Sequence, residues 1–339
     1  MGGAWATVSV QWANGVEIHG TVSVDPNALD RMETVTVTSR GWGGHGFMPA
    51  PGASQTANAT VQIRGAGLTS VNQSPEILYL STGDTRNIVT SVTPTNTPFS
   101  VAYEQIPAGN PHGSCMVGIQ TEPASGVGSA SSPVHKRADS PWHCSGIYYV
   151  RGTAQNSSST RQSSNDTIVV VPPQQLIQVL YGESHGQVAI GDYVSQLAVG
   201  SVIRNRFGDP DHFGGVSTYQ EAITPDQFAG IATQITGGVE PELTHAAGIY
   251  TETLGTDVAG ATCFFSPTYE GWLAIQAALS SGTTELPSVA NDPECYKQYR
   301  QFVVKTSVGL NADGRRAPAF IFVRRRSNPN TEPAVIQIP

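Results

Sequence analysis

Charge is scarce in this chain. Only 13% of its 339 residues are Asp, Glu, Lys or Arg, about half the ~25% of an average soluble domain. Positive charge is scarcest, with 18 Lys and Arg against 26 Asp and Glu, for a net charge of −8. That balance argues against a nucleic-acid partner, because phosphate recognition needs a basic face. The one basic run, Arg324-Arg325-Arg326, reads as a solvated strand end. No apolar run reaches the ~18 residues of a membrane span. Residues 1–6 lack the basic and apolar regions of a signal peptide. No G-x-S-x-G elbow, H-E-x-x-H, Walker loop or dinucleotide fingerprint occurs, so no cofactor is implied.

What the chain does have is 36 Gly, 23 Pro and abundant Ser, Thr, Asn and Gln. This composition suits a secreted, β-rich bacterial protein, or one of the cell envelope, whose signal peptide lies outside the sequence given. The four cysteines, Cys115, Cys144, Cys263 and Cys295, form no C-x-x-C pair. Their even number and grouping predict the disulfides Cys115–Cys144 and Cys263–Cys295, made in an oxidising compartment. Four reduced, buried thiols are the alternative. His112, His135 and His143 lie near the first two cysteines. Their spacing favours surface histidines beside a disulfide over a metal site, and no metal is expected. The Asn-x-Ser/Thr sites at Asn58, Asn72, Asn156 and Asn165 matter only in a eukaryotic secretory pathway.

The order of elements predicts three regions: a small β unit at 1–64, an immunoglobulin-like β-sandwich at 65–171, and a mainly helical domain at 172–339. Alternating segments at 7–12 and 16–24 flank Ala13-Asn14-Gly15, a hairpin signal. Further short strands run to Val171, with the small, polar 152–166 as a hairpin tip or a flexible excursion. After Pro172-Pro173 the texture becomes helical. Helices are predicted from Pro173 to Glu183, over 189–207, and from starts at Thr224-Pro225, Pro241, Ser266-Pro267 and Asp292-Pro293, the last running through Val304. Short strands at 320–323 and 335–338 close the chain.

The helix from Pro173 carries a carboxylate into its own apolar stripe. Leu176, Val179, Leu180 and Glu183 follow the i, i+3, i+4, i+7 spacing of one face. A carboxyl group in apolar surroundings tends to stay protonated, as a general acid requires. The competing reading is a Glu at a helix end that turns out to solvent.

Five segments then occur in order. They are Leu180-Tyr-Gly-Glu183, Gly186-Gln187, Val202-Ile-Arg-Asn-Arg206, Gln227-Phe228, and Gly260-Ala-Thr-Cys-Phe-Phe-Ser-Pro267. Together they resemble the cell-wall hydrolase family of spore-cortex-lytic enzymes (SleB-type), over roughly 174–322. The resemblance implies a lysozyme-like fold. It also implies cleavage of the MurNAc–GlcNAc bond of peptidoglycan, by a lytic transglycosylase with Glu183 as its acid. It leaves Tyr181, Asn205, Gln227, Ser266 and Thr268 as substrate contacts. Four of them also have a structural explanation: packing for Tyr181, helix closure for Asn205, capping for Gln227 and Ser266. The chain departs from the family after the acid, where Ser184-His185-Gly186-Gln187 lacks the usual second Glu. A hydrolase would need another carboxylate, for which Asp192, Asp209, Asp211, Glu221 and Glu242 are available. The alternative is a non-catalytic surface or self-assembling protein on the same fold, attached through its β region.

Overall fold

The computed structural model describes the strands 4–11, 17–24, 31–40 and 54–63. It also describes residues 67–339 except 82, 109–117, 137–144, 210–212, 214, 225–227, 291–292, 294 and 306–308. Cys115, Cys144, His112, His143, His212, Asp211 and Gln227 fall outside the described residues. The first four strands form two antiparallel hairpins. β1 (Ala4–Gln11) pairs with β2 (Glu17–Val24), as the Asn14-Gly15 signal predicts, and β3 (Arg31–Arg40) pairs with β4 (Ser54–Ile63).

From residue 70 the chain builds one long hydrogen-bonded sheet. Its strands are β5 (Ser70–Ser74), β6 (Ile77–Tyr79), β7 (Thr85–Thr93), β8 (Pro98–Ala108), β9 (Ile119–Thr121), β10 (Ala124–Val127), β11 (Ser129–Lys136), β12 (Gly146–Gln155), β13 (Thr160–Gln162) and β14 (Thr167–Val171). The strand order is β5-β7-β11-β10-β8-β12-β14-β6, with β9 beside β11 and β13 beside β12. Residues 152–166, expected as a hairpin tip or a flexible excursion, form the β12–β13 hairpin. Period-2 alternation is visible in β7, where Ile88, Thr90 and Val92 are buried between exposed neighbours. Between β10 and β11, Gly128 has φ +72°, and a Cβ there would strike the Thr95 carbonyl.

Ile88 and Val134 from one end of the path share a core with Leu78, Tyr148 and Val169 from the other, so the sheet rolls over on itself. The Gln73 side chain bridges the roll. Its Nε2 donates to the Val150 carbonyl at 3.1 Å, and its Oε1 accepts from Gly152 N at 2.7 Å. On the outer side of β5, the Asn165 amide takes the place of a strand neighbour. It accepts from Gln73 N at 2.9 Å and donates to the Gln73 carbonyl at 2.8 Å.

The second half is not the mainly helical, lysozyme-like domain that the sequence predicts. Among the described residues it has five helices: α1 (Gln174–Val188), α2 (Tyr193–Asn205), the short α3 (Tyr219–Ala222), α4 (Glu240–Tyr250) and α5 (Tyr269–Ser281). They enclose a four-stranded sheet of order β15 (Cys263–Phe265), β19 (Ile321–Arg325), β16 (Arg300–Lys305), β20 (Val335–Ile338). Val303 and Phe322 pack with α1, α2 and α4, whereas Phe302, Val304, Ile321 and Val323 pack with Ile275 and Ala278 of α5. Across the described residues the chain is therefore mostly β-sheet. The predicted helix through Val304 is a 3-10 turn at Lys297–Tyr299 followed by strand β16. A strand covered on both faces reads as a continuous apolar run, which periodicity cannot tell from a helix.

Other boundaries shift for local reasons. α2 begins at Tyr193, not 189, because Gly191 turns at φ +84° and Asp192 caps the helix by accepting from Ser195 N. Thr268, not Ser266, caps α5 by accepting from Gly271 N. A two-stranded hairpin, β17 (Gly309–Leu310) with β18 (Arg316–Ala317), lies against α1 and completes the architecture. Arg86 of β7 is ion-paired with Glu240 at the start of α4.

Candidate functional site

α1 forms because Leu176, Ile177, Val179 and Leu180 are all fully buried against α2, α4 and the sheet. Glu183 lies near its C-terminal end and is half-buried. It shares a helical face with Leu176, Leu180 and, one turn on, Gln187. Gln187 fixes that face to the hairpin: Nε2 donates to the Leu310 carbonyl at 2.8 Å, and Oε1 accepts from Leu310 N at 3.0 Å. The backbone of Gly309 packs so closely that a Cβ would stand 2.7 Å from Asp192 Oδ2 and 2.8 Å from Gln187 Oε1. Beside Glu183, the exposed Gly186 opens on free space, where a Cβ would meet nothing within 4 Å.

The other side of α1 carries a polar network that the sequence reading missed. Tyr181 is 8% exposed and stacks on His185 with ring centroids 4.3 Å apart. His185 Nδ1 lies 2.8 Å from Oε1 of Glu242, which has no solvent exposure. Gln196 Nε2 donates to the same oxygen at 3.3 Å, and Gln196 Oε1 meets His245 Nδ1 at 2.5 Å. Among the described residues, Glu242 Oε2 has no hydrogen-bond partner. Burial pulls the His245 imidazole below its ordinary range, against the opposing field of Glu242. The partners lie 46 to 57 residues apart in sequence, so no local pattern announces them.

The structure separates the other expected site residues. Gly200 lies beside Leu180, where a Cβ would be 3.6 Å from Leu180 Cδ2. Asn205 is five residues beyond that point and Glu183 is three residues the other way along α1. At 1.5 Å per residue they are offset by about 12 Å along the helices. Asn205 instead donates from Nδ2 to the Ala261 carbonyl at 2.9 Å. The neighbouring Arg206 is buried, and donates to the carbonyls of Thr262 at 2.9 Å and Ala222 at 2.6 Å. Its guanidinium lies between the Phe213 and Phe228 rings, and burial draws its pKa down to about 10. Tyr181 OH meets Thr236 Oγ1 at 3.4 Å, so Tyr181 packs as a wall of the network. Thr268 is occupied as a cap, and Ser266 is half-buried on the loop before it.

The candidate second carboxylates are engaged elsewhere. Asp192 caps α2, Glu221 completes a capping box with Thr218, Asp209 accepts from Tyr296 OH, and Glu242 pairs with His185. Asp211 lies outside the described residues.

The predicted disulfide Cys263–Cys295 is present, with Cα atoms 6.6 Å apart. It is consistent with an extracellular protein. No helix among the described residues is long and apolar enough to cross a membrane. Arg324-Arg325-Arg326 is not the solvated strand end expected. Arg326 is buried and donates from Nη1 to the Thr284 carbonyl at 2.9 Å, and Arg324 lines a cavity.

No protein-family model and no curated protein matches the chain. Among solved structures it is similar to the swine CD8aa homodimer, at 16% identity over 31% of this chain and 99% of that one, with a TM-score of 0.21. It is likewise similar to a structure described as the structural basis of T cell specificity and activation by the bacterial superantigen toxic shock syndrome toxin-1. That match has 16% identity over 31% of this chain and 99% of that one, with a TM-score of 0.20. At these TM-scores the likeness assigns nothing to this chain.

Proposed function

We propose that the chain cleaves the glycan strand of peptidoglycan, with Glu183 as a single acid and base. The observation that carries this reading is the place of Glu183, half-buried near the C-terminal end of α1 beside the open space at Gly186. A single acid and base suits a reaction that consumes no water. Protonated Glu183 donates to the glycosidic oxygen, and the bond from that oxygen to the anomeric carbon of MurNAc breaks. The resulting carboxylate takes the proton of the muramyl C6 hydroxyl, whose oxygen bonds to the same anomeric carbon. The products are a GlcNAc hydroxyl end and a 1,6-anhydro muramyl end, with Glu183 protonated again.

The convergence of the motif segments also supports the reading. Leu180 of the first, Val202 and Ile203 of the third, Phe228 of the fourth and Ala261 of the last share one core. The scaffold under them is the mixed α and β arrangement described above. The test is turnover of purified peptidoglycan by the parent and by Glu183→Gln. The expected result is anhydro-ended fragments from the parent, and a loss of at least about 100-fold in the variant. Equal activity in both would sink the assignment of Glu183. Fragments ending in reducing muramic acid would reject the ring-closing step.

A further inference from the structure

Away from Glu183, at the C-terminal end of α2, the surface opens into a cavity of about 640 Å³. It adjoins a second of about 390 Å³, with which it shares Arg204, Asn205 and Glu252. This is the size range of small-ligand sites. Its charged lining comprises Arg204, Arg324 and Arg325 on one side of the balance, with Asp209 and Glu252 on the other. Three of the chain's 18 basic residues therefore meet at one place in a protein of net charge −8.

We propose that this cavity binds a small ligand bearing an oxyanion, a carboxylate or a phosphate, with Arg204 as its principal contact. The guanidinium of Arg204 is half-buried and makes no hydrogen bond or ion pair among the described residues. A planar fork of N–H donors matches carboxylate and phosphate oxygens two at a time. Arg324 is fixed at the rim, donating from Nε to Gln301 Oε1 at 2.6 Å and from Nη1 to the Ala259 carbonyl at 3.3 Å. Both carboxylates oppose an anion; Asp209 is held by the Tyr296 hydroxyl, whereas Glu252 is exposed.

The backbone points to the same place. Among the described residues, four non-glycine positions have positive φ, and three of them, Glu252, Ala259 and Tyr296, line this cavity at φ 60°, 53° and 60°. Strained backbone gathers where a site over-determines it. The wall is tied twice, by the Cys263–Cys295 disulfide and by the adjacent contact of Thr262 Oγ1 with Tyr296 OH at 2.6 Å. Arg204 also offsets the partial negative charge at the end of α2, a role that would leave ligand binding untouched when the residue is changed.

The experiment is titration calorimetry of the full chain with inorganic phosphate and, separately, with succinate. Saturable binding of either is expected, and the preferred probe separates a phosphate source from a carboxylate one. Binding should weaken by about tenfold or more in Arg204→Gln at unchanged melting temperature, and tighten in Glu252→Gln. Failure of both probes overturns the proposal, as does an Arg204→Gln affinity equal to that of the parent. Should Arg204→Gln not fold, an unchanged affinity in Glu252→Gln overturns it instead. Glu183→Gln should bind as the parent does, so this result stands apart from the glycan-cleavage test.

Discussion

His185 Nδ1 and Glu242 Oε1 stand 2.8 Å apart, joining the C-terminal end of α1 to a carboxylate in the core of α4. Replacing Glu242 with Ala removes acceptors for both His185 and Gln196 and leaves a void among fully buried side chains. A loss of about 2–4 kcal/mol is expected in urea unfolding. Glu242→Gln retains an oxygen for the same donors and should lose less. Equal losses would show that the bonds contribute little.

His245 gives the network a pH dependence. Burial lowers its pKa in the folded protein, so below the ordinary value of about 6.5 the unfolded chain takes up the proton more readily. The contribution to stability is complete above that value and is lost as pH falls through it toward the lowered one. Melting temperatures measured from about pH 7.5 down to about pH 5 should fall in the parent, and less steeply in His245→Gln. Identical slopes would assign the effect to other groups.

At Gly200, α2 packs tightly against Ile249 of α4. A Cβ there would overlap Ile249 Cδ1 and come within 3.0 Å of Cγ1 in a fully buried side chain. Gly200→Ala should therefore destabilise by about 1–3 kcal/mol despite its better helix propensity. Ile249→Val, which removes the overlapping carbon, should recover part of that loss in the double variant. A stabilised single variant would contradict the packing.

The Cys263–Cys295 disulfide closes a separation of 32 residues. A loop of that length contributes about 3–4 kcal/mol by restricting the unfolded chain. Replacing both cysteines with Ala should lower the denaturant midpoint accordingly. An unchanged midpoint would mean that the disulfide adds nothing to the other contacts that hold β15.

Asn165→Ala tests the outer border of β5. Two hydrogen bonds to the Gln73 backbone disappear, and about 1–2 kcal/mol of stability should go with them. Asn165→Asp, which keeps the acceptor and loses the donor, should fall between parent and Ala. A variant as stable as the parent would show that water replaces the amide without cost.

Where structure follows from neighbours in sequence, the residues show it. The Asn14-Gly15 signal marks the β1–β2 hairpin, Pro241 marks the start of α4, Ser266-Pro267 falls just short of the start of α5, and the cysteine grouping marks one disulfide. The central sheet of the second half was hidden because its strands come from 263–265, 300–305, 321–325 and 335–338. Each is short, and β16 is apolar on both faces. Glu183 was legible as a carboxylate on an apolar stripe. The network behind it was not, because Glu242 pairs with a histidine 57 residues away. The basic run at 324–326 misled for a related reason: one arginine turns inward and the other two line a cavity built from segments distant in sequence.

The Asn165 amide has a further consequence for how copies of this protein meet. A strand arriving from a second molecule would find the N–H and C=O of Gln73 already bonded, and the Val71 carbonyl already taken by Ser164 N. Polymerisation by strand addition at β5 is thereby blocked at its middle, because a newcomer must first displace a side chain that imitates it. Any fibre or layer built from this chain has to begin on another surface.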